Sequence, residues 1–423
     1  MHVVVIGAGI VGANCALELL RDGHQVTIVE PGEPGGRQAA SYGHGCWISP
    51  ASVVPMSMPG LWKQIPGHLL NLQGPLVIRW RHIGTLLPWL VRFLLAGSTV
   101  PRVERTARAL SILLGDSPVR HRALADELGR SDLIRQEGLL YAYPDRTAFE
   151  AESLAWRLRR MTGLHCCELE AAELRAREPS LSDRYTFGVL AEDGAHCIDP
   201  EAYVSAIVEL AVARGARLVK AKAMDLVFDG SRLDAVETDA GPVTCDRAVI
   251  ALGVWSKKLA RLAGDRIPLE SERGYHGVIA SPQGAPLHPI MPSDGKMANT
   301  PTAKGLRLSG QVELASVDTP PAWGRIDILL EHALKTYPSL GRREDLTIDR
   351  WMGHRPSTPD GLPVIGASSR SPDVFYAFGH GHVGFASGPI TGRIVADQIS
   401  GAPGGHNTEP FSPRRFRWAG RGR

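Results

Sequence analysis

Gly7, Gly9 and Gly12 in "VIGAGIVG", followed by a carboxylate at Glu30, are spaced for phosphate and ribose recognition. In a G-x-G-x-x-G turn the first glycine permits the tight turn and the second lets the backbone approach a pyrophosphate. The third lets the next helix pack close to its strand. The flanks agree with this. His2–Ile6 is a short β-branched run, as in a strand buried on both faces. Ile10 to Leu20 carry apolar residues at helical spacing, with Gly23 just past the end. The start of that helix offers free N–H groups and partial positive charge, so Ala8, Ile10 and Val11 join the candidate contacts. Val26 to Val29 read as the next strand. Glu30 at its close can accept from both ribose hydroxyls and would repel a 2′-phosphate, so the nucleotide is FAD or NAD rather than NADP.

The elements that must hold this turn recur far downstream. "RAVIALGVWSKKL" (247–259) runs from an apolar strand through Gly253 and Trp255 into a helix. It is either a second turn closing over the nucleotide or an ordinary strand–turn–helix. Strand-like stretches at 223–228, 232–238 and 246–251, after a helix from about Pro200 to Gly215, suggest that the chain re-enters its first domain. Other helices are expected over 103–128, 152–161 and 174–181, the last ending before Pro179. Near the C-terminus "RPSTPDGLPVIG" (355–366) reads as an irregular loop entering a strand. "VFYAFGH" is a further strand, "GHGHVG" a glycine-rich turn, and "SGPITGRIVADQI" a helix with Pro389 in its first turn. That helix start would aim partial positive charge into the site.

At 423 residues the chain is too long for one ordinary core. Two interleaved domains are expected: one from 1–85, 185–265 and 345–423, the other from 86–184 and 266–344. A net charge of +3 is too small to imply nucleic-acid binding. The arginines at the C-terminus (Arg414, Arg415, Arg417, Arg421, Arg423) read as a solvated tail or as a contact with an anionic membrane. The six cysteines show neither C-x-x-C spacing nor a zinc pattern, so no metal and no disulfide framework are expected. No signal peptide precedes the first strand, which predicts a protein facing the cytoplasm. "IGTLLPWLVRFLLAGSTVP" (83–101) is too short for a transmembrane helix. It is either a core or lid element or, with Trp89 and Phe93 beside Arg92, an interfacial patch.

Six stretches in order resemble the FAD-dependent D-amino-acid oxidase/glycine oxidase superfamily, and most of all its bacterial D-amino-acid dehydrogenase branch. They are "VIGAGIVGANCALELLRDGHQVTIVE", "ASYGHGCWISPASVVP", "REPSL", "ALGVWSKKL", "GHRPSTPDGLPVIG" and "GHGHVGFASGPITGRIVADQISG". The resemblance spans residues 2 to 401. It implies an α/β FAD-binding Rossmann-like domain interleaved with a substrate domain built on an antiparallel sheet. It also implies tightly but non-covalently bound FAD, since the attachment cysteine of sarcosine oxidases is not evident. Gly7, Gly9, Gly12 and Glu30 match the ADP-binding positions, and Ser41 the loop passing the flavin. Gly379, His380, Gly381, His382, Val383 and Gly384 match the backbone around the isoalloxazine. Arg355 matches the arginine with which glycine oxidases hold the substrate carboxylate. His382 stands where glycine oxidase has an arginine, and His276 departs from the related "RGY" stretch of the dehydrogenases. The segment near residue 90 resembles the one at which dehydrogenase members meet the membrane, implying a peripheral contact on its inner face.

Oxidising an amino acid to an imino acid moves hydrogen from Cα to the flavin, so the site needs placement more than acid–base groups. Arginine suits a carboxylate because its fork makes two parallel bonds. Arg355 is therefore the expected clamp; the alternative is a structural arginine paired with Asp360 or with backbone carbonyls. Tyr275, His276, His382 and His44 are further substrate-side candidates. The expected activity is D-amino-acid oxidation with electrons passed to a quinone or other carrier, cyclic substrates such as D-proline or hydroxyproline included. The alternatives are a glycine- or sarcosine-type oxidase that makes hydrogen peroxide, and an FAD-binding subunit of a hetero-oligomer. The oligomeric state is left open.

Overall fold

The computed structural model describes residues 1–63, 74, 76–79 and 82–417; Arg421 and Arg423 of the arginine run lie outside them. The opening strand His2–Ile6 is buried, as its β-branched run requires, and lies inside a six-stranded sheet. In spatial order the strands are Arg217–Val219, Gln25–Val29, His2–Ile6, Arg247–Ile250, Val374–Phe378 and Val364–Ala367. The first five run parallel and the last antiparallel. The re-entry expected from residues 246–251 is thus a direct pairing of Val3 to Ile6 with Arg247 to Ile250. Helices Ile10–Arg21, Pro200–Ala213 and Gly388–Ser400 share one core on one face of this sheet. The first and last approach so closely that a Cβ on Gly392 would lie 2.7 Å from the Asn14 carbonyl oxygen. The other face is covered by the meander Ala223–Asp229, Arg232–Thr238, Gly241–Thr244 and by helix Ser256–Leu262.

The second layer is a nine-stranded mixed sheet. Its long limb consists of Ile348–Ser357, Glu270–Ile279 and Gly305–Leu314, paired antiparallel over ten-residue strands. Helix Gly324–Thr336 packs through Leu329, Leu330 and Ala333 on the face that carries Leu306 and Leu308. A group of charges is buried along this limb. Arg273, wholly inaccessible, lies 3.1 Å from Glu313, which also binds Arg79 and the Tyr275 hydroxyl.

The chain divides between the layers differently from the expected boundaries. Phe187–Ala191 and Ile348–Ser357 pair into the nine-stranded sheet rather than the nucleotide sheet. Val103, Ala107, Leu110 and Leu114 form an apolar stripe packed with the first helix, so this stretch joins the nucleotide layer. The single helix expected over 103–128 is two, Val100–Leu114 and Ser117–Glu127. Pro118 cannot continue the first helix, and the Ser117 hydroxyl takes over the Leu114 carbonyl at 2.8 Å.

Removing one partner of a buried ion pair strands the other charge. Glu313→Ala is therefore expected to cost about 3–5 kcal/mol, read as a lowered midpoint in urea unfolding, whereas Asp349→Ala at the exposed Arg37 pair should leave the midpoint within about 0.5 kcal/mol.

Candidate active site

The nucleotide turn is built as its glycines require. Gly7 has φ +105°, and a Cβ there would meet the Ala251 carbonyl oxygen at 2.7 Å. A Cβ on Gly12 would sit 1.9 Å from the Gly7 oxygen. One Glu30 carboxylate oxygen accepts from the Ala8 N–H of the turn at 2.8 Å and the other from the Gly32 N–H at 3.0 Å, so the carboxylate is fixed beside the turn. The Ser41 hydroxyl accepts from the Ile10 N–H at 2.9 Å, capping the first helix where a phosphate would approach. Gly9, Ile10, Val11, Gly253 and Trp255 line the same cavity, with half of Trp255 exposed at its wall.

This cavity, about 1260 Å³, runs on from the turn to the long limb of the second sheet. The Arg355 guanidinium lies across Gly274 of the neighbouring strand; a Cβ there would be 2.7 Å from Cζ. One Arg355 nitrogen donates to the Gln311 carbonyl at 3.2 Å, its only hydrogen bond among the described residues, and the rest of the fork faces the cavity. Asp360 is taken by Arg415 at 2.8 Å, so of the alternative partners expected for Arg355 only a backbone carbonyl, that of Gln311, is found; Arg415 is structural rather than part of a free tail. The strand that carries Arg355 ends against the glycine-rich turn: Gly381 donates to the Pro356 carbonyl at 2.8 Å, and Ser357 bridges His380.

Three expected histidines surround this region, all held neutral. His44 stacks on Phe385 with ring centres 4.8 Å apart, and burial brings its pKa down to about 3. His380 bonds Thr391 at 3.1 Å and is lowered to about 3 by burial. His382 is exposed on the cavity wall; desolvation there and then the Arg355 charge lower its pKa to about 4. Val383 and Gly384 line the cavity, whereas Gly379, φ +84°, lies behind the turn.

Two expected substrate residues are placed elsewhere. Side chains alternate along a strand, so Tyr275 points to the opposite face from Gly274. There its hydroxyl donates to Glu313 and accepts from the Ala322 N–H at 3.0 Å. His276 shares the Gly274 face but is wholly buried, stacked on Trp351 at 4.9 Å with Nδ1 3.4 Å from the Gly43 carbonyl. Neither lines the cavity. The residue missed is Glu272, two positions before Gly274 and directly opposite Arg355 in the ladder; the period of two was the available signal.

The cavity with its Glu30 and glycine cradle fits an adenine dinucleotide, and the Arg355 guanidinium puts a positive charge on the adjoining wall. That defines a flavin-dependent oxidoreductase. The chain belongs to the family of FAD dependent oxidoreductases named DAO, whose description matches residues 2–398. It is 50% identical over 98% of its length to a D-amino-acid oxidase of Bradyrhizobium diazoefficiens, covering 99% of that protein. It is 31% identical to a D-amino acid dehydrogenase of Paramagnetospirillum magneticum, with 98% and 99% of the two chains covered. In fold it is similar to the glycine oxidase of Geobacillus kaustophilus (TM-score 0.74, 22% identity, 98% and 99% covered). Among the described residues no group of three or more His, Cys, Asp or Glu is placed to hold a metal.

Two outcomes follow. Glu30→Gln removes the charge that would face a bound ribose and weakens the bonds to Ala8 and Gly32. FAD affinity, read by quenching of flavin fluorescence, should fall about tenfold to a hundredfold, the range of a charged hydrogen bond. His44, His121, His196, His380 and His382 all fold with pKa values of about 3 or 4, while the unfolded chain takes up those protons near pH 6.5. The unfolded state therefore binds more protons between about pH 6.5 and 4, and stability should fall as pH drops through that window. A thermal melt at pH 5.5 should lie below one at pH 7.5, and His121→Gln should narrow the gap.

Proposed function

We propose that this FAD-dependent oxidoreductase oxidises D-amino acids to imino acids. The observation that carries it is Arg355: a cation nearly free of protein partners, laid over Gly274 and joined by backbone bonds to the Gly379–Gly384 turn. The names of the relatives from Bradyrhizobium and Paramagnetospirillum support the D-amino-acid class. FAD, when bound along Gly7–Gly12, Glu30 and the Gly381–Gly384 turn, supplies the acceptor for two electrons and the Cα hydrogen. The chain's own residues do the placing. Arg355 takes the substrate carboxylate in its fork, Gly274 leaves room for the guanidinium, and the neutral His44 and His382 add no competing charge. A ring hydroxyl, as in hydroxyproline, would find acceptors in those two imidazoles. FAD is held without a covalent bond to sulfur, a reading supported by the lack of a cysteine among the described residues that line the cavity.

Electrons then pass to a quinone or another carrier. Helix Ile83–Ala96 supports this reading: Leu87, Val91 and Leu95 form an exposed apolar stripe at helical spacing, suited to a peripheral membrane contact. Trp89 and Phe93 are not part of it. Trp89 is buried and donates to the Ser357 carbonyl at 3.2 Å, with Phe93 stacked on it. Among the described residues no single helix is long and apolar enough to cross a membrane. Oxygen as acceptor, with hydrogen peroxide as product, is the second reading, favoured by the name of the relative at 50% identity.

Anaerobic titration of the flavin with D- and L-amino acids, proline and hydroxyproline included, tests the class: D-substrates should bleach the band, and a band that none of them changes rejects it. Slow recovery on readmitting air, with rapid recovery on adding a quinone, indicates a carrier. Arg355→Met should raise KM for D-substrates about 30- to 150-fold, equivalent to roughly 2–3 kcal/mol, with the FAD spectrum unchanged.

A further inference from the structure

Glu272 is a buried carboxylate that the placement of substrate by Arg355 does not use. It is 5% exposed and lines the main cavity, and it lies opposite Arg355 in the antiparallel ladder. Neighbours across a ladder project to the same face, so the two charges share one wall. Among the described residues no ion pair within contact distance reaches the Glu272 carboxylate, and its one hydrogen-bonding neighbour is the Ser357 hydroxyl. Burial pushes its pKa up, and the Arg355 charge pulls against that. Glu272 also lines a side cavity of about 30 Å³, shared with Ser57, Ser357, Asp360, His380 and His382. That is room for about two waters, and among the described residues the Ser57 hydroxyl there has no protein partner.

We propose that Glu272 is the acceptor of the substrate's ammonium proton, resting on the amino-acid reading of the Arg355 site. One guanidinium serves two carboxylates. While the site is free, Arg355 is the charge that keeps the buried Glu272 ionised. When a substrate carboxylate enters the fork, that charge is shared and Glu272 becomes the stronger base. An amino acid arrives as a zwitterion, and its nitrogen must hold a free electron pair before Cα can give up hydrogen. The ammonium N–H bond breaks, the proton passes to a Glu272 oxygen directly or across one water, and the electron pair stays on nitrogen. Net charge in the pocket is unchanged by the transfer, so a low-dielectric wall does not oppose it. The other ionisable groups facing Glu272 leave the assignment intact: His380 and His382 are neutral with lowered pKa values, and Asp360 is held by Arg415. The water-sized side cavity gives the proton a way out between turnovers.

The test has two arms on the FAD-loaded enzyme. In the first, benzoate, a carboxylate without an amine, is titrated calorimetrically at pH 8 in two buffers of different ionisation enthalpy. Wild type should take up about one proton per benzoate bound and Glu272→Gln none; equal uptake in both overturns the proposal. In the second, the anaerobic rate of flavin bleaching by a D-amino acid is followed from pH 6 to 10. Wild type should level off well below the pKa of the substrate ammonium. The Gln variant should climb about tenfold per pH unit toward that pKa, as the neutral amine becomes available from solution. Matching profiles, with only KM raised in the variant, reduce Glu272 to a residue that positions Arg355 and reject the acceptor role. Should the Gln variant lose FAD, the wild-type profile decides, since a climb of tenfold per unit with no levelling rejects an internal acceptor. Benzoate uptake without bleaching by any D-amino acid would place the failure in the substrate reading, and the acceptor role falls with it.

Discussion

The site depends on a guanidinium lying across a residue with no side chain. Arg355 reaches the cavity only because Gly274, on the next strand, leaves the space that a Cβ would fill. That coincidence requires one register between Ile348–Ser357 and Glu270–Ile279. A slip of one residue would turn Glu272 and Gly274 away from the cavity and bring Arg273 and Tyr275 into it. The opposite face prevents the slip. Arg273 and Tyr275 both meet Glu313 there, and a buried charge without its partner costs more than a ladder bond. The ion pair beneath the sheet thereby sets which carboxylate and which glycine stand above it.

The Arg355 strand and the glycine-rich Gly379–Gly384 turn are also mechanically one piece. The Arg355 strand runs without a break into Pro356 and Ser357, and these bond Gly381 and His380. The turn continues into helix Gly388–Ser400, which packs on the first helix at Gly392. From the first helix the chain leads back to Gly12 and Gly7, in close contact with each other and with Ala251. The Gly7–Gly12 turn, the Gly379–Gly384 turn and the Arg355 guanidinium are thus referred to one set of backbone contacts, with few side-chain rotamers between them. Preorganisation of this kind is what hydrogen transfer from carbon needs, because the reacting atoms must be aligned before the step.

What could be read from the chain and what could not divide along sequence distance. The glycine turn, Glu30, the Gly23 stop and the Pro389 helix start are local, and each stands where its conformational or capping preference puts it. Arg355 came from the resemblance to a family rather than from its spacing. Tyr275 and His276 were both placed at the substrate, although neighbours on a strand cannot share a face. Glu272 looked like an ordinary charged residue in "SERGY", and only the pairing of residues 272 and 355 gives it a partner. The division between the layers failed for the same reason. Whether Phe187–Ala191 or Ile348–Ser357 joins one sheet or the other depends on contacts that no short window contains.

Helix Ile83–Ala96 joins the exposed surface to this interior. Its inner face is fixed by Trp89 on the Ser357 carbonyl, at the end of the Arg355 strand, and by Phe93 and Ala96 against the side cavity beside His380–Val383. Its outer face carries Leu87, Val91 and Leu95. The two readings of the segment, as lid and as surface patch, are therefore the two sides of one helix. A helix with its side chains is roughly 10 Å thick, so the apolar stripe lies about that far from the turn that would hold the flavin. The same helix closes the chamber behind Glu272 through Phe93 and Ala96, so the proposed proton route meets its inner face and the proposed membrane contact its outer one.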